Sequence, residues 1–186
     1  MDTDQDPRIE RSRRVILEAV LEEIGLVGYG ALTIEAVAAR AGVGKSTIYR
    51  HWSGKLALVE DAFRTLKAEA LVPDSGTLRE RIISFLEQVA GLVEDSTYSS
   101  CMPALIEAAE RDPQVREFHC KFAAERRAVL VDVLREAVTA GELPADTNPE
   151  FLADALTGPI VIHRLMLHEP FDPKLIPALV HQLLPE

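Results

Sequence analysis

Apolar residues recur at helical spacing along almost the whole chain, and the alternation of a half-buried strand is scarce. The pattern predicts an all-α protein. A first helix over 9–27 places Ile16, Val20 and Ile24 on one face, with Val15 and Leu17 widening it, and Gly28-Tyr29-Gly30 ends it. Thr33 caps a short helix reaching residue 40. Ala41-Gly42-Val43 then forms a tight turn, with Gly42 suited to a positive φ, before a second short helix over 45–51. Ser53-Gly54 breaks the chain ahead of a helix over 55–70 that buries Leu56, Val59, Phe63 and Leu66. Val72-Pro73-Asp74-Ser75-Gly76 carries the strongest boundary signal and divides the chain into a domain of residues 1–70 and a larger one of residues 71–186.

Beyond that boundary, helix starts are announced by a capping residue followed by proline, whose missing N–H costs nothing in a first helical turn. Asp112-Pro113, Asn148-Pro149 and Asp172-Pro173 all have this form. They predict helices over 113–140, 149–168 and 173–184, preceded by helices over 77–93 and 102–110. The helix from Pro113 presents Val115, Phe118, Phe122, Val129, Val133 and Leu134 as an apolar stripe and stops at Gly141. The next helix is apolar nearly all round (Phe151, Leu152, Ala155, Leu156, Ile160, Ile162, Leu165, Met166), with Gly158-Pro159 expected to bend it. With Leu175, Ile176, Leu179, Val180 and Leu183 it makes a terminal pair suited to half of a four-helix bundle shared by two copies, so a homodimer through the last two helices is expected.

Composition narrows the class. With 186 residues, 47 % of them hydrophobic and 27 % charged, the chain can bury a core without disulfides or metals. No run of 18 uncharged apolar residues exists, and the acidic and arginine-rich opening does not resemble a signal peptide, so a cytoplasmic protein without membrane partners is expected. Cys101 and Cys120 form no CxxC and no Cys/His cluster, so both read as core cysteines, and no metal site or cofactor is expected. A redox pair would need the two Cα atoms within about 7 Å. The five histidines, His51, His119, His163, His168 and His181, stand in no nucleophile or paired-carboxylate pattern, so no catalytic residue is expected.

A net charge of −10 argues against a nucleic-acid partner until its distribution is considered. Residues 1–68 carry ten basic and ten acidic side chains; the remainder carries ten and twenty. Between Glu35 and Glu60 there is no acidic residue, while Arg40, Lys45, Arg50 and Lys55 give a local +4 able to face phosphates.

Residues 33–55, TIEAVAARAGVGKSTIYRHWSGK, combine two short helices, a glycine turn and a basic second helix, the build of a DNA-reading helix-turn-helix. Val37, Ala38, Ala41, Val43, Ile48 and Trp52 supply its small core, leaving Lys45, Ser46, Thr47, Tyr49, Arg50 and His51 outside. Lys45 and Arg50 suit guanine edges or phosphates, Ser46 and Thr47 close approach, and Tyr49 and His51 phosphate oxygens. Lys55 opens the next helix, whose positive end favours a phosphate. GVGKST at 42–47 imitates the end of a nucleotide-binding P-loop, but Ala39 stands where the pattern needs glycine, and a helix precedes it where a strand is required.

From Arg14 to Phe63 the sequence resembles the N-terminal domain of TetR-family regulators, through RRVILEAV and GYGALTIEAVAARAGVGKSTIYRHWSGKLALVEDAF. Trp52 stands where the family usually has Phe, and Ile24 where it has an aromatic; both keep an apolar body in the core. The resemblance implies that Thr33, Thr47, Tyr49, His51 and Lys55 hold phosphates and that Lys45, Ser46, Thr47 and Arg50 face bases, with Arg11 and Arg14 adding backbone or minor-groove contacts. It further implies a dimeric transcriptional repressor: a three-helix DNA-binding domain on a palindromic operator, and a larger helical domain that dimerises and binds a small-molecule effector. For that effector the second domain offers Phe85, Met102, Phe118 and Phe122 as apolar lining and His119, Arg126 and His163 as sparse polar groups, which suits an apolar or amphipathic molecule.

Overall fold

The computed structural model describes residues 7–66 and 71–184. Nine α-helices follow one another among these residues: α1 (Pro7–Ala31), α2 (Ile34–Ala41), α3 (Lys45–His51), α4 (Lys55–Thr65), α5 (Leu78–Glu94), α6 (Ser96–Arg111), α7 (Pro113–Ala140), α8 (Pro149–Ile162) and α9 (Ile176–Leu183). No strand occurs among the described residues, as the helical periodicity requires. The final residues expected of the fourth helix, 67–70, lie outside them, as do Asp2, Asp4 and Asp6.

The boundaries follow local chemistry. Gly28 adopts φ 76° and ψ 167°, which breaks the helical path of α1 where the glycine-tyrosine-glycine run predicts. Thr33 Oγ1 accepts the Ala36 N–H at 3.1 Å, and Gly42 ends α2 in the left-handed conformation at φ 66°. Thr77 and Glu80 form a reciprocal capping box at the start of α5. At the three residue-proline starts, Asp112 accepts from Gln114 N–H, Asn148 from Phe151 N–H and Asp172 from Lys174 N–H.

Several boundaries differ from the sequence expectation. α6 begins at Ser96, not near residue 102, and carries Pro103 in its interior. α8 leaves α-geometry after Ile162 for a π-helical turn, His163–Leu167, which closes on His168 at φ 56°. The last helix opens with a 3₁₀ turn, Pro173–Leu175, before α9. Within α4 the buried set is Leu58, Val59, Ala62 and Phe63, while Leu56 and Leu66 are half-buried. In α7 the buried row passes from Phe122 to Leu130, Leu134 and Ala137, leaving Val129 on the exposed side and Val133 half-buried.

The chain forms two compact units. One takes its described residues from Met1–Ala68 and Ser96–His119, the other from Glu69–Asp95 and Cys120–Glu186. In the first, α1 is the spine: α2, α4 and α6 all pack on it. Ile16, Val20 and Ile24 of α1 are buried, as are Val37, Ile48, Leu58, Val59, Phe63, Leu105 and Val115. Each such fully buried side chain contributes roughly 1.5–3 kcal/mol relative to exposure. α1 and α6 approach so closely at Gly25 that a Cβ there would lie 2.8 Å from Ser100 Oγ. Beside it Cys101 Sγ donates to the Leu21 carbonyl at 3.1 Å. In the second unit α5, α8 and α9 pack together over Ile82, Phe85, Leu86, Leu156, Ile160, Ile176 and Val180. Arg79 Nη2 closes this core by donating to the Leu184 carbonyl at 2.9 Å.

Candidate nucleic-acid interface

α2, the Gly42 turn and α3 stand as two short helices joined at a left-handed glycine, and Val43 N–H closes the turn on the Ala38 carbonyl at 3.0 Å. Ile48, fully buried, and Trp52, 6 % exposed, anchor α3, with Val37 and Ala38 of α2 beneath them; Ala41 and Val43 are half-buried. The GVGKST run lies across this turn, with α2 ahead of it, so its backbone has none of the strand-to-helix geometry of a phosphate-cradling loop.

Of the reader residues, Lys45, Ser46, Tyr49, Arg50 and His51 are exposed and Thr47 is half-buried. Tyr49 is 56 % exposed, an unusual position for a large aromatic ring without a ligand to cover it. Arg50 is exposed and forms no hydrogen bond or ion pair among the described residues, so its guanidinium is available to an acceptor outside the chain. Thr33 spends an oxygen lone pair on the helix cap but keeps its hydroxyl proton for donation.

The remaining cations of the basic window are engaged. Arg40 donates through Nε to Glu23 at 2.6 Å and through Nη1 to Glu22 at 3.1 Å, binding α2 to α1. The local +4 expected from the sequence is therefore reduced, because carboxylates distant in the chain neutralise part of it. Lys45 Nζ donates to Glu35 Oε1 at 2.9 Å, which raises the ammonium's pKa and lowers that of the carboxyl. Lys55 Nζ lies 4.3 Å above the Tyr29 ring and donates to the Gly30 carbonyl at 3.3 Å. Burial lowers the Lys55 pKa, opposed by the nearby Asp112, and burial raises that of Tyr29. Of the accessory arginines, Arg14 pairs with Glu18 at 3.7 Å, one turn along α1, and Arg11 is exposed.

Sequence reasoning missed the carboxylates that hold this reader. Asp61 Oδ2 on α4 accepts both Trp52 Nε1 at 2.9 Å and Arg13 Nη2 at 2.6 Å, joining α1, α4 and the end of α3. Glu23, 9 % exposed, does the same for α1 and α2. Tryptophan in place of phenylalanine was the available signal: its body suits the core, but its N–H needs an acceptor.

The seven candidate effector residues divide between the units. Met102, Phe118 and His119 belong to the first, where Phe118 meets Phe63 edge-on at 6.1 Å and burial lowers the His119 pKa. Phe85, Phe122, Arg126 and His163 belong to the second. There Arg126 stacks over the Phe122 ring at 4.4 Å, and His163 packs edge-on against Phe171 with its Nδ1 buried. Cys101 is a buried thiol, as expected; Cys120 is exposed, contrary to its reading as a core residue, because it lies on the outer side of the α7 row.

This arrangement defines a helix-turn-helix transcriptional regulator, and comparison with known proteins gives the family. Residues 16–62 match the family model of bacterial regulatory proteins of the tetR family, and residues 72–183 match the tetracyclin repressor-like C-terminal domain. The chain belongs to the TetR family. It is 31 % identical over 163 residues to the uncharacterized HTH-type transcriptional regulator YdeS of Bacillus subtilis, covering 87 % of this chain and 81 % of YdeS. It is 30 % identical over 183 residues to the DNA-binding transcriptional repressor TetR of Mycobacteroides abscessus, covering 95 % and 94 %. Among solved structures, the TetR family transcription regulator SCO0332 superposes with a TM-score of 0.70 at 30 % identity, covering 92 % of this chain and 96 % of that one. The fold is also that of Bacillus subtilis FadR, solved in complex with stearoyl-CoA, with a TM-score of 0.69 at 19 % identity over 92 % and 97 % of the chains.

Proposed function

We propose that this protein is a cytoplasmic homodimeric repressor that places α3 in the major groove of a palindromic operator and responds to a small apolar or amphipathic effector bound by its C-terminal helical domain. The observation that carries the reading is the division of α3: Ile48 is buried, whereas Tyr49, Arg50 and His51 are exposed beside it. Lys45, Ser46, Thr47 and Arg50 read bases in this proposal, and Thr33, Thr47, Tyr49, His51 and Lys55 hold phosphates, with Arg11 and Arg14 in support. Two readers bind two half-sites about one helical turn apart, which requires a dimer. An apolar stripe on α8 and the π turn that follows it supports one. Phe151, Ile162 and Met166 are 73 %, 52 % and 72 % exposed, opposite the buried row Leu152, Leu156 and Ile160, and no neighbouring atom would meet a Cβ added to Gly158.

For the effector, the buried rings of Phe85 and Phe122 and the polar groups of Arg126 and His163, all in the second unit, favour a ligand with a large apolar part. The fold shared with a regulator solved with stearoyl-CoA agrees with that class. Such a ligand releases DNA only by its differential affinity for the two conformations of the protein.

The test is selection of duplexes from a random-sequence pool, followed by mobility shifts at two salt concentrations against scrambled competitor. Enrichment of an inverted repeat supports the reading, and no enrichment at low salt overturns it. Arg50→Ala then relaxes discrimination at one position per half-site, whereas Lys55→Ala weakens binding to all duplexes and reduces the salt slope by about 1 per reader. Equal losses on every sequence for both variants would refute the division of roles.

A further inference from the structure

We propose that Glu35 is a specificity-determining residue, which acts by holding the Lys45 ammonium and withholding it from phosphates that lie outside a matched operator. This rests on the placement of α3 against DNA. Glu35 lies in the first turn of α2 and Lys45 opens α3, so the pair spans the turn of the reader itself. Their side chains are 62 % and 54 % exposed, yet Nζ and Oε1 stand 2.9 Å apart. No acidic residue occurs between Glu35 and Glu60, so the turn and α3 carry Lys45, Arg50 and His51 with no carboxylate of their own.

Non-specific association is driven by cations that neutralise phosphates and release counterions. A lysine on a flexible four-carbon stem is well suited to that task, because its ammonium reaches whichever phosphate is nearest. Glu35 opposes it twice. Its charge repels the phosphate backbone, and its hydrogen bond restricts Lys45 while leaving two ammonium protons for other acceptors. The ionised state of both partners is reinforced by their contact. A fixed donor discriminates between base edges; a freely moving one does not. Glu35 is thus a positioning residue, and its exposure means that neutralising it leaves the core untouched.

The experiment measures affinity for the selected inverted-repeat duplex and for a scrambled duplex across a salt series, with wild type, Glu35→Gln, Lys45→Ala and the double variant. Glu35→Gln is expected to raise affinity for the scrambled duplex several-fold and steepen its salt slope by about 1 per reader. Operator affinity changes less, so the specificity ratio falls, with unchanged thermal unfolding. In the Lys45→Ala background the Glu35→Gln effect disappears. If Lys45→Ala leaves both affinities and slopes unaltered, the lysine does not face DNA and the underlying placement fails. If Lys45→Ala weakens operator binding but Glu35→Gln changes neither ratio nor slope, the role of Glu35 is overturned while the placement stands. Persistence of the full effect in the double variant overturns positioning through Lys45.

Discussion

The indole N–H of Trp52 donates to Asp61 Oδ2 at 2.9 Å, and the same oxygen receives the Arg13 guanidinium at 2.6 Å. Trp52 terminates α3, so the orientation of the reader is tied to α4 and α1 by a hydrogen bond as well as by packing. Trp52→Phe keeps the apolar body and removes the donor, and is expected to cost about 1 kcal/mol. Asp61→Ala leaves a buried indole N–H unmet and is expected to cost about 1–3 kcal/mol. Urea unfolding of both variants measures this, and a Trp52→Phe protein as stable as wild type would mean that the bond contributes nothing.

The exposed stripe on α8 and its π turn is expected to be covered by a second copy. Met166→Glu then places two carboxylates in an apolar seam and yields monomers that lose the inverted repeat. Light scattering reads the mass directly. A monomeric wild type, or a dimeric variant with full binding, would locate the seam elsewhere or remove it.

His168 holds φ 56° and ψ 34° at the end of the π turn, a conformation strained for a residue with a Cβ. His168→Gly is expected to stabilise the protein by roughly 0.5–1 kcal/mol, the relief of strain less the added freedom of the unfolded chain. His168→Ala retains the strain and gains nothing. Thermal unfolding separates the two.

His119 is half-buried, and desolvation holds its pKa below the ordinary imidazole value of 6.5, with Glu110 pulling weakly the other way. The unfolded chain therefore binds the proton more readily, so the contribution to stability is complete above about pH 6.5 and falls as pH drops toward the folded-state pKa. The denaturation midpoint of wild type is expected to decline over that interval more steeply than that of His119→Gln. Parallel curves would show that His119 does not contribute.

The legibility of this molecule followed the range of its interactions. Caps at Thr33, Asp112, Asn148 and Asp172 and the turn at Gly42 involve neighbours a few residues away, and the sequence announces them. The buried and exposed faces of α3 follow from periodicity in the same way. Asp61 with Arg13, and Arg40 with Glu23, pair across 48 and 17 residues, and no local pattern encodes which carboxylate meets which cation. The π turn after Ile162 and the early start of α6 were illegible for a related reason. Both extend a helix through residues whose own preferences do not demand it, Pro103 among them.

The compact unit that contains the reader includes residues 96–119 as well as the N-terminal helices. Gly25 seated against Ser100, and Cys101 bonded to the Leu21 carbonyl, make α6 part of the foundation on which α1 rests. This bears on how hybrid regulators are assembled. A graft that transfers only the first 70 residues onto a relative carries α1 to a foreign α6, where any larger side chain opposite Gly25 would force the helices apart. The exchangeable module is discontinuous: a swap that carries residues 96–119 with the reader preserves its own bedrock, and one cut at a single point does not.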